Sequence, residues 1–235
     1  MRKGKLFFVV IPIILTSMLM SSCISINRQI KVNTDGSGKE LLKITFMKEF
    51  YVIMSSMAAL MDSTRRQGYL DSLYSDDVFQ NKTVTKYDSV KGIKIINLSA
   101  ETNEDSSKTF TIDYEFDSIS KIGSSLSSIN EDNDKYVTDV KFEDKGGNIY
   151  FLYEYKSKED VIPGSGEDND SLSVKMREGM SKMFENGKFD FEIEFPYEVI
   201  SSNAVSQTGN TLKWEYPMKD VFLNNSLRLE AVLKK

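Results

Sequence analysis

Few residues in this chain are equipped for chemistry. Its 235 residues include one cysteine, Cys23, and no histidine. That excludes Ser-His-Asp and Cys-His nucleophilic machinery, His-based proton transfer and ordinary zinc or copper sites. Carboxylate, lysine, tyrosine and serine chemistry remains. Among the carboxylates, Glu192 and Glu194 make the best pair, because residues two apart on a strand share a face. Glycoside hydrolysis needs such a pair across a sugar cleft, although a solvated strand face explains the same spacing. Two acidic words, Asp132-Asn133-Asp134 and Asp168-Asn169-Asp170, offer oxygen ligands but lack the glycine and distal glutamate of an EF-hand loop. They read as a solvated loop and a helix cap. No catalytic, cofactor-binding or metal residue is singled out, and a carboxylate-dependent hydrolase stays a minor alternative.

Cys23 closes the most informative stretch. Arg2, Lys3 and Lys5 give a basic start, an apolar run follows from Leu6 to Met20, and Ser21 and Ser22 precede the cysteine. These are the marks of a secretory signal. The run of 15 residues falls short of the roughly 20 that a spanning helix needs, so a retained anchor is the weaker alternative to cleavage. Leu19-Met20-Ser21-Ser22-Cys23 resembles the lipobox of bacterial lipoproteins, with Met20 where leucine is more usual. The resemblance implies a signal peptide over 1–22 and lipid attachment at Cys23. It implies anchorage to the cell membrane or outer membrane, on the extracytoplasmic or periplasmic face. Loss of 1–22 removes three basic and no acidic residues, taking the net charge from −5 to −8. An acidic body argues against nucleic acid and anionic lipid head groups as partners. No cysteine pair exists for a disulfide, so stability rests on a core that a chain of this length can bury.

The elements that would position these residues follow from periodicity. Ile30 and Val32 alternate with Lys31, Asp35-Gly36-Ser37-Gly38 has hairpin-turn chemistry, and Leu42, Ile44 and Phe46 alternate on the return. Phe50, Ile53, Met54, Met57 and Met61 recur at helical spacing, with Gly68 as a break and a short helix over 69–74. Such a methionine stripe is read as core more readily than as an adaptable binding surface. Strands are predicted over 83–87 and 92–98, and over 110–116, where Phe110, Ile112, Tyr114 and Phe116 alternate with polar residues. A weak helix follows Asp117-Ser118. Val140 and Phe142 lead into a turn at 144–148, and Ile149, Phe151, Tyr153 and Tyr155 return. Residues 157–170 read as loop, and a helix over 171–186 ends at Asn186-Gly187. Phe189, Phe191, Ile193 and Phe195 give the sharpest period of two. A turn at Gln207-Thr208-Gly209-Asn210 leads to Leu212, Trp214 and Tyr216, and a last strand carries Leu227 to Leu233. Asp-Ser pairs at 62, 71, 88, 117 and 170 resemble an O-glycosylation signal of exported bacterial proteins, and equally suit caps and turns.

The fold class is therefore α+β. The expectation is an antiparallel sheet of about nine strands, with about three helices on one face. Residues 23–235 form a single extracytoplasmic domain, with a boundary inside 157–170 as the alternative. The hairpin at 35–38, Phe195-Pro196, Asn203, Gly209-Asn210-Thr211 and Trp214 together resemble the LppM-type lipoprotein domain. That resemblance implies a membrane-tethered body with lipid binding proposed for relatives, and it carries over no catalytic residue. The functional expectation is a non-catalytic envelope lipoprotein that binds a lipid, another ligand or an envelope-protein partner. A structural or assembly lipoprotein is the alternative.

Overall fold

The computed structural model describes residues 23–59, 62–123, 136–157, 184–222 and 226–235. The order is β1 (Ile24–Val32), β2 (Gly38–Phe46), α1 (Lys48–Ala58), α2 (Ser63–Tyr74), α3 (Asp76–Asp88), β3 (Ile93–Thr102) and β4 (Lys108–Phe116). A 3-10 turn at Ile119–Gly123 follows, then β5 (Tyr136–Lys145), β6 (Asn148–Ser157), β7 (Lys188–Glu194), β8 (Glu198–Ser202) and β9 (Ser206–Thr208). The chain ends with β10 (Thr211–Pro217), α4 (Met218–Phe222) and β11 (Ser226–Lys234). The α+β class holds. The single antiparallel sheet does not, because among the described residues eleven strands form two sheets: β3-β4-β2-β1-β7-β10-β9 and β5-β6-β11-β8.

The larger sheet is mixed. β1 pairs antiparallel with β2 through the tight turn, but parallel with β7, from Ser25 opposite Lys188 to Lys31 opposite Glu194. Hairpins impose antiparallel pairing only on strands they join, whereas β1 and β7 are separated by most of the chain and are free to run parallel. At the β1–β2 turn Gly36 has a φ of +82° and Asp35 accepts from the Ser37 amide at 3.0 Å. Gly38 is needed for close approach, since a Cβ there would lie 2.1 Å from the Lys31 carbonyl oxygen.

One face of the larger sheet is covered in two parts. Over β1, β7 and β10 lies the smaller sheet. Phe151 meets Phe195 at 5.1 Å and Trp214 at 6.4 Å between ring centres, and Tyr153 meets Phe191 at 5.3 Å. Over β4 lies α3, with Phe79 on Phe110 at 3.9 Å and Tyr87 on Tyr114 at 5.1 Å. The inward residues Phe189, Phe191, Ile193, Leu212 and Leu229 are fully buried. Each fully buried side chain of this kind contributes roughly 1.5–3 kcal/mol.

Several local expectations change. Residues 83–87 are helical, inside α3, despite the strand preference of Thr83, Val84 and Thr85. Ser75 caps that helix by accepting from Val78, Asp76 and Asp77 occupy its first turn, and Lys86 its last, an order that suits the helix dipole. Gly68 lies inside α2 rather than ending it. The stripe of α1 is half-buried: Phe50, Ile53 and Met54 pack against the core, while Met61 lies outside the described residues. Of the helix expected after Asp117, the 3-10 turn with buried Ile119 and Ile122 is what is described. The helix expected over 171–186 lies outside the described residues up to 183. β8 and β9 are short and exposed, and neither shows alternation in the sequence.

Residues 198–208 cross from the edge of one sheet to the edge of the other, and Asn203 sits at that corner. Its Oδ1 accepts from Trp214 Nε1 at 2.7 Å and from the Glu230 amide at 2.8 Å, and its Nδ2 donates to the Arg228 carbonyl at 2.9 Å. One side chain thus ties β10 to β11.

Candidate functional site

Cys23 directly precedes β1. Its carbonyl accepts from the Met47 amide at 2.9 Å, which brings the start of α1 beside it. The side chain is 5% exposed and belongs to the core cluster. Burial and then the nearby Glu49 carboxylate push the thiol pKa up. A thiol held protonated is a poor nucleophile, so free Cys23 in this setting does not supply a reactive thiolate.

The carboxylate pair is placed on a solvent face. Glu192 and Glu194 line a shallow concavity of about 340 Å³ on the outer side of the larger sheet, with Gln29, Lys31, Lys39 and Asp113. Lys31 Nζ donates to Glu194 at 2.7 Å. The carboxylate on this face with a raised pKa is Asp190, through burial and then Glu215 opposite it. Its Oδ1 is buried without a hydrogen-bond partner among the described residues. A glycosidase needs one acid raised and one ionised across a cleft; here Glu192 is half-buried, while Glu194 is exposed and paired with Lys31. The acidic words at 132–134 and 168–170 lie outside the described residues. Among the described residues no group of acids forms a metal-binding cluster.

The Asp-Ser words in the described part fall mainly at helix ends. Asp62 accepts from the Thr64 amide at 2.8 Å as the cap of α2, and Ser89 donates to the Lys86 carbonyl at 2.6 Å after α3.

A buried ionic cluster lies where the two layers meet, and it was not singled out from the sequence. Arg28 of β1 donates from Nε to Glu40 Oε1 at 2.5 Å and from Nη2 to Glu40 Oε2 at 2.8 Å. Nη2 also reaches the Ile122 carbonyl at 2.7 Å, and Nη1 the Tyr153 hydroxyl at 3.1 Å. The Tyr114 hydroxyl donates to Glu40 Oε2. Above the guanidinium lies the Phe191 ring, 5.0 Å away. Arg28 and Glu40 are both 0% exposed. Burial works against the Arg28 charge, but Glu40 beside it outweighs that and holds the pKa well above its ordinary value. Burial, then Glu40, raises Tyr114, and burial pushes Tyr153 up to about 12. The cluster is closed and its members bond to one another, leaving no face for a substrate. It clamps β1, β2, β4, β6 and the 3-10 turn together. A signal for it existed: Arg28 has the inward parity of Ile26 and Ile30, and Glu40 that of Leu42 and Ile44.

The smaller sheet carries an outward concavity of about 590 Å³ on its solvent side. Tyr150, Leu152 and Val232 lie in it, rimmed by Lys141, Glu143, Ser201 and Glu230. No helix among the described residues is long and apolar enough to cross a membrane.

The chain matches no family model and no curated protein sequence. Among solved structures it is similar to the folded domain of LppM from Mycobacterium tuberculosis, with 9% identity, 92% of each chain covered and a TM-score of 0.42. That domain belongs to the family which the sequence words resemble; at this score the likeness adds no argument to them.

Proposed function

We propose that the chain is a lipoprotein of the bacterial cell envelope. Acyl chains on Cys23 hold it to the cell membrane or outer membrane, on the extracytoplasmic face. Its folded body is a non-catalytic module that acts by binding a partner. The observation that carries this is the signal pattern from Arg2 to Cys23, with ordered β1 beginning at the very next residue. Export, cleavage and acylation would thus deliver a body whose first strand starts at the anchor.

The interior supports binding at the surface over carriage of a ligand inside. The aromatic face of β7 packs on β6 rings, and Phe189, Phe191 and Ile193 have no exposed surface. The outward concavity with Tyr150, Leu152 and Val232 offers an apolar floor and a polar rim, the anatomy of a partner site.

The test is the mass of the protein purified from bacterial membranes. The expected N-terminus is Cys23 with a diacylglyceryl thioether, and Cys23→Ser should abolish both acylation and membrane retention. A mature chain starting elsewhere, or one starting at Cys23 without acyl mass, overturns the anchor. Native mass spectrometry with lipid extraction checks the second half: recovery of the anchor's own acyl chains alone is expected. A stoichiometric additional lipid would point to interior carriage instead.

A further inference from the structure

The strands divide the molecule into two ends, and the anchor selects one of them. At the Cys23 end lie the start of α1 at Lys48, the β3–β4 turn at 103–107, Lys188 opening β7, and α4. Pairing fixes this: Phe46 lies opposite both Ile24 and Lys108, Ser25 opposite Lys188, and Lys188 opposite Pro217, which leads into α4. At the other end lie the turns at 33–37, 144–147 and 209–210. The Phe142 ring is 3.8 Å from a Cβ built on Gly36, and Lys235 Nζ bonds Asp144 at 2.6 Å. From Ile24 to Val32 the strand rise separates the ends by roughly 26 Å.

We infer that the Cys23 end is a lipid-facing surface, with the 103–107 turn, Lys188 and α4 against the head groups and the 144–147 and 209–210 turns held away from them. This rests on acylation of Cys23. No spacer intervenes, because Ile24 is already in β1 and is clamped opposite Phe46. The core around Cys23 is also closed, with Ile24 at 8% exposure and Met218 at 0%. Met47, just before α1, bonds the Cys23 carbonyl at 2.9 Å, so an acyl glyceryl group on Cys23 starts from this end. The end exposes Glu104 and Asp105 together with Lys48, Lys188 and Lys219. Mixed charge suits zwitterionic head groups and makes the contact a consequence of tethering, not of ionic attraction.

Acylation also makes the test clean, since it blocks the only native thiol. Single cysteines at exposed Glu104 and Lys219 report the near end, and at exposed Lys145 and Asn210 the far end. Each full-length acylated variant carries a fluorophore and is reconstituted into phosphatidylcholine vesicles containing a head-group quencher. Thermal melts matching the parent confirm the fold of each. Quenching several-fold greater at 104 and 219 than at 145 and 210, little changed by salt, is the expected result. Equal quenching at all four, or greater quenching at 145 and 210, overturns the orientation. Loss of the contrast at high salt overturns the tethering account of it. Absence of acyl mass on Cys23, read before reconstitution, removes the anchor and the orientation together.

Discussion

Arg28 and Glu40 hold their charges out of water by bonding each other, and that makes each dependent on the other. Removing one partner of such a pair leaves a buried charge uncompensated, at a cost of about 3–5 kcal/mol. Arg28→Met is therefore expected to lower the urea midpoint strongly, while Arg28→Met with Glu40→Leu should lie closer to the parent than either single change. A double variant no better than the worse single one would mean the pair is not coupled in this way. The tyrosines around the pair set a second expectation. Tyr153 has its pKa raised from 10.0 to about 12, and Tyr114 is also raised. The folded chain thus keeps protons that the unfolded chain releases. The stability that Tyr153 contributes is fully present below pH 10 and declines as pH rises toward 12, by about 1.4 kcal/mol per unit; Tyr114 acts in the same direction. Tyr153→Phe should make that decline shallower in denaturation series run from pH 9 to 12. An unchanged slope would show that Tyr153 ionises freely in the fold. The cluster could have been found from parity, yet charge on an inward position looks like an error in pattern until its partner is known. Arg28 and Glu40 belong to paired strands, and two such breaks on neighbouring strands are the readable sign.

At the scale of elements, alternation was enough for the strands that bury one face. β1, β2, β4, β6, β7, β10 and β11 each bury the residues of one parity, as a period of two requires, although Leu41, Tyr150, Leu152 and Val232 lie on the outward parity. It failed where burial does not alternate. Residues 198–202 and 206–208 are mostly exposed, so β8 and β9 carry no period, and the strand expected over 83–87 falls inside α3, where β-branched residues occupy a helix that end signals and Phe79 hold in place. Pairing direction was also beyond the pattern, since period two is the same in parallel and antiparallel ladders. The element that closes the molecule at one side is the corner around Asn203. Trp214 is 1% exposed and its indole N–H depends on Asn203 Oδ1. Asn203→Ala leaves that donor buried without an acceptor and should cost about 1–3 kcal/mol. Hydrogen exchange should rise at the Glu230 amide and along β8, with the β1–β2 hairpin unaffected. Faster exchange spread evenly over both sheets would mean the corner is not a local closure. A smaller effect belongs to Ser75→Ala, which removes the cap of α3 and should cost about 1 kcal/mol.

For the whole molecule, the order of strands in space differs from their order in the chain. β7, from beyond residue 184, lies between β1 and β10, and β11 pairs along the length of β6. Both sheets therefore take central strands from each side of the 157–170 segment where the sequence admitted a domain boundary. A fragment of residues 23–157 would leave β1 with one bare edge and its inward Ile26, Arg28 and Ile30 without Phe189, Phe191 and Ile193 beside them. A fragment of residues 184–235 would hold β7, β10 and β11 but neither β1 nor β6. Unpaired edges and uncovered aromatic faces are poorly soluble and weakly ordered. Each fragment alone is expected to show no cooperative melt, and mixing the two should restore near-ultraviolet dichroism from Trp214 and the buried tyrosines. A cooperative transition in the 23–157 fragment by itself would establish two units. The same topology bears on the anchor, because the strand leaving Cys23 is central in the larger sheet, flanked by β2 and β7. With Cys23 acylated as proposed, a pull on the acyl chains would be borne by the ladders to β2 and β7, and detachment of β1 would require unfolding of the sheet.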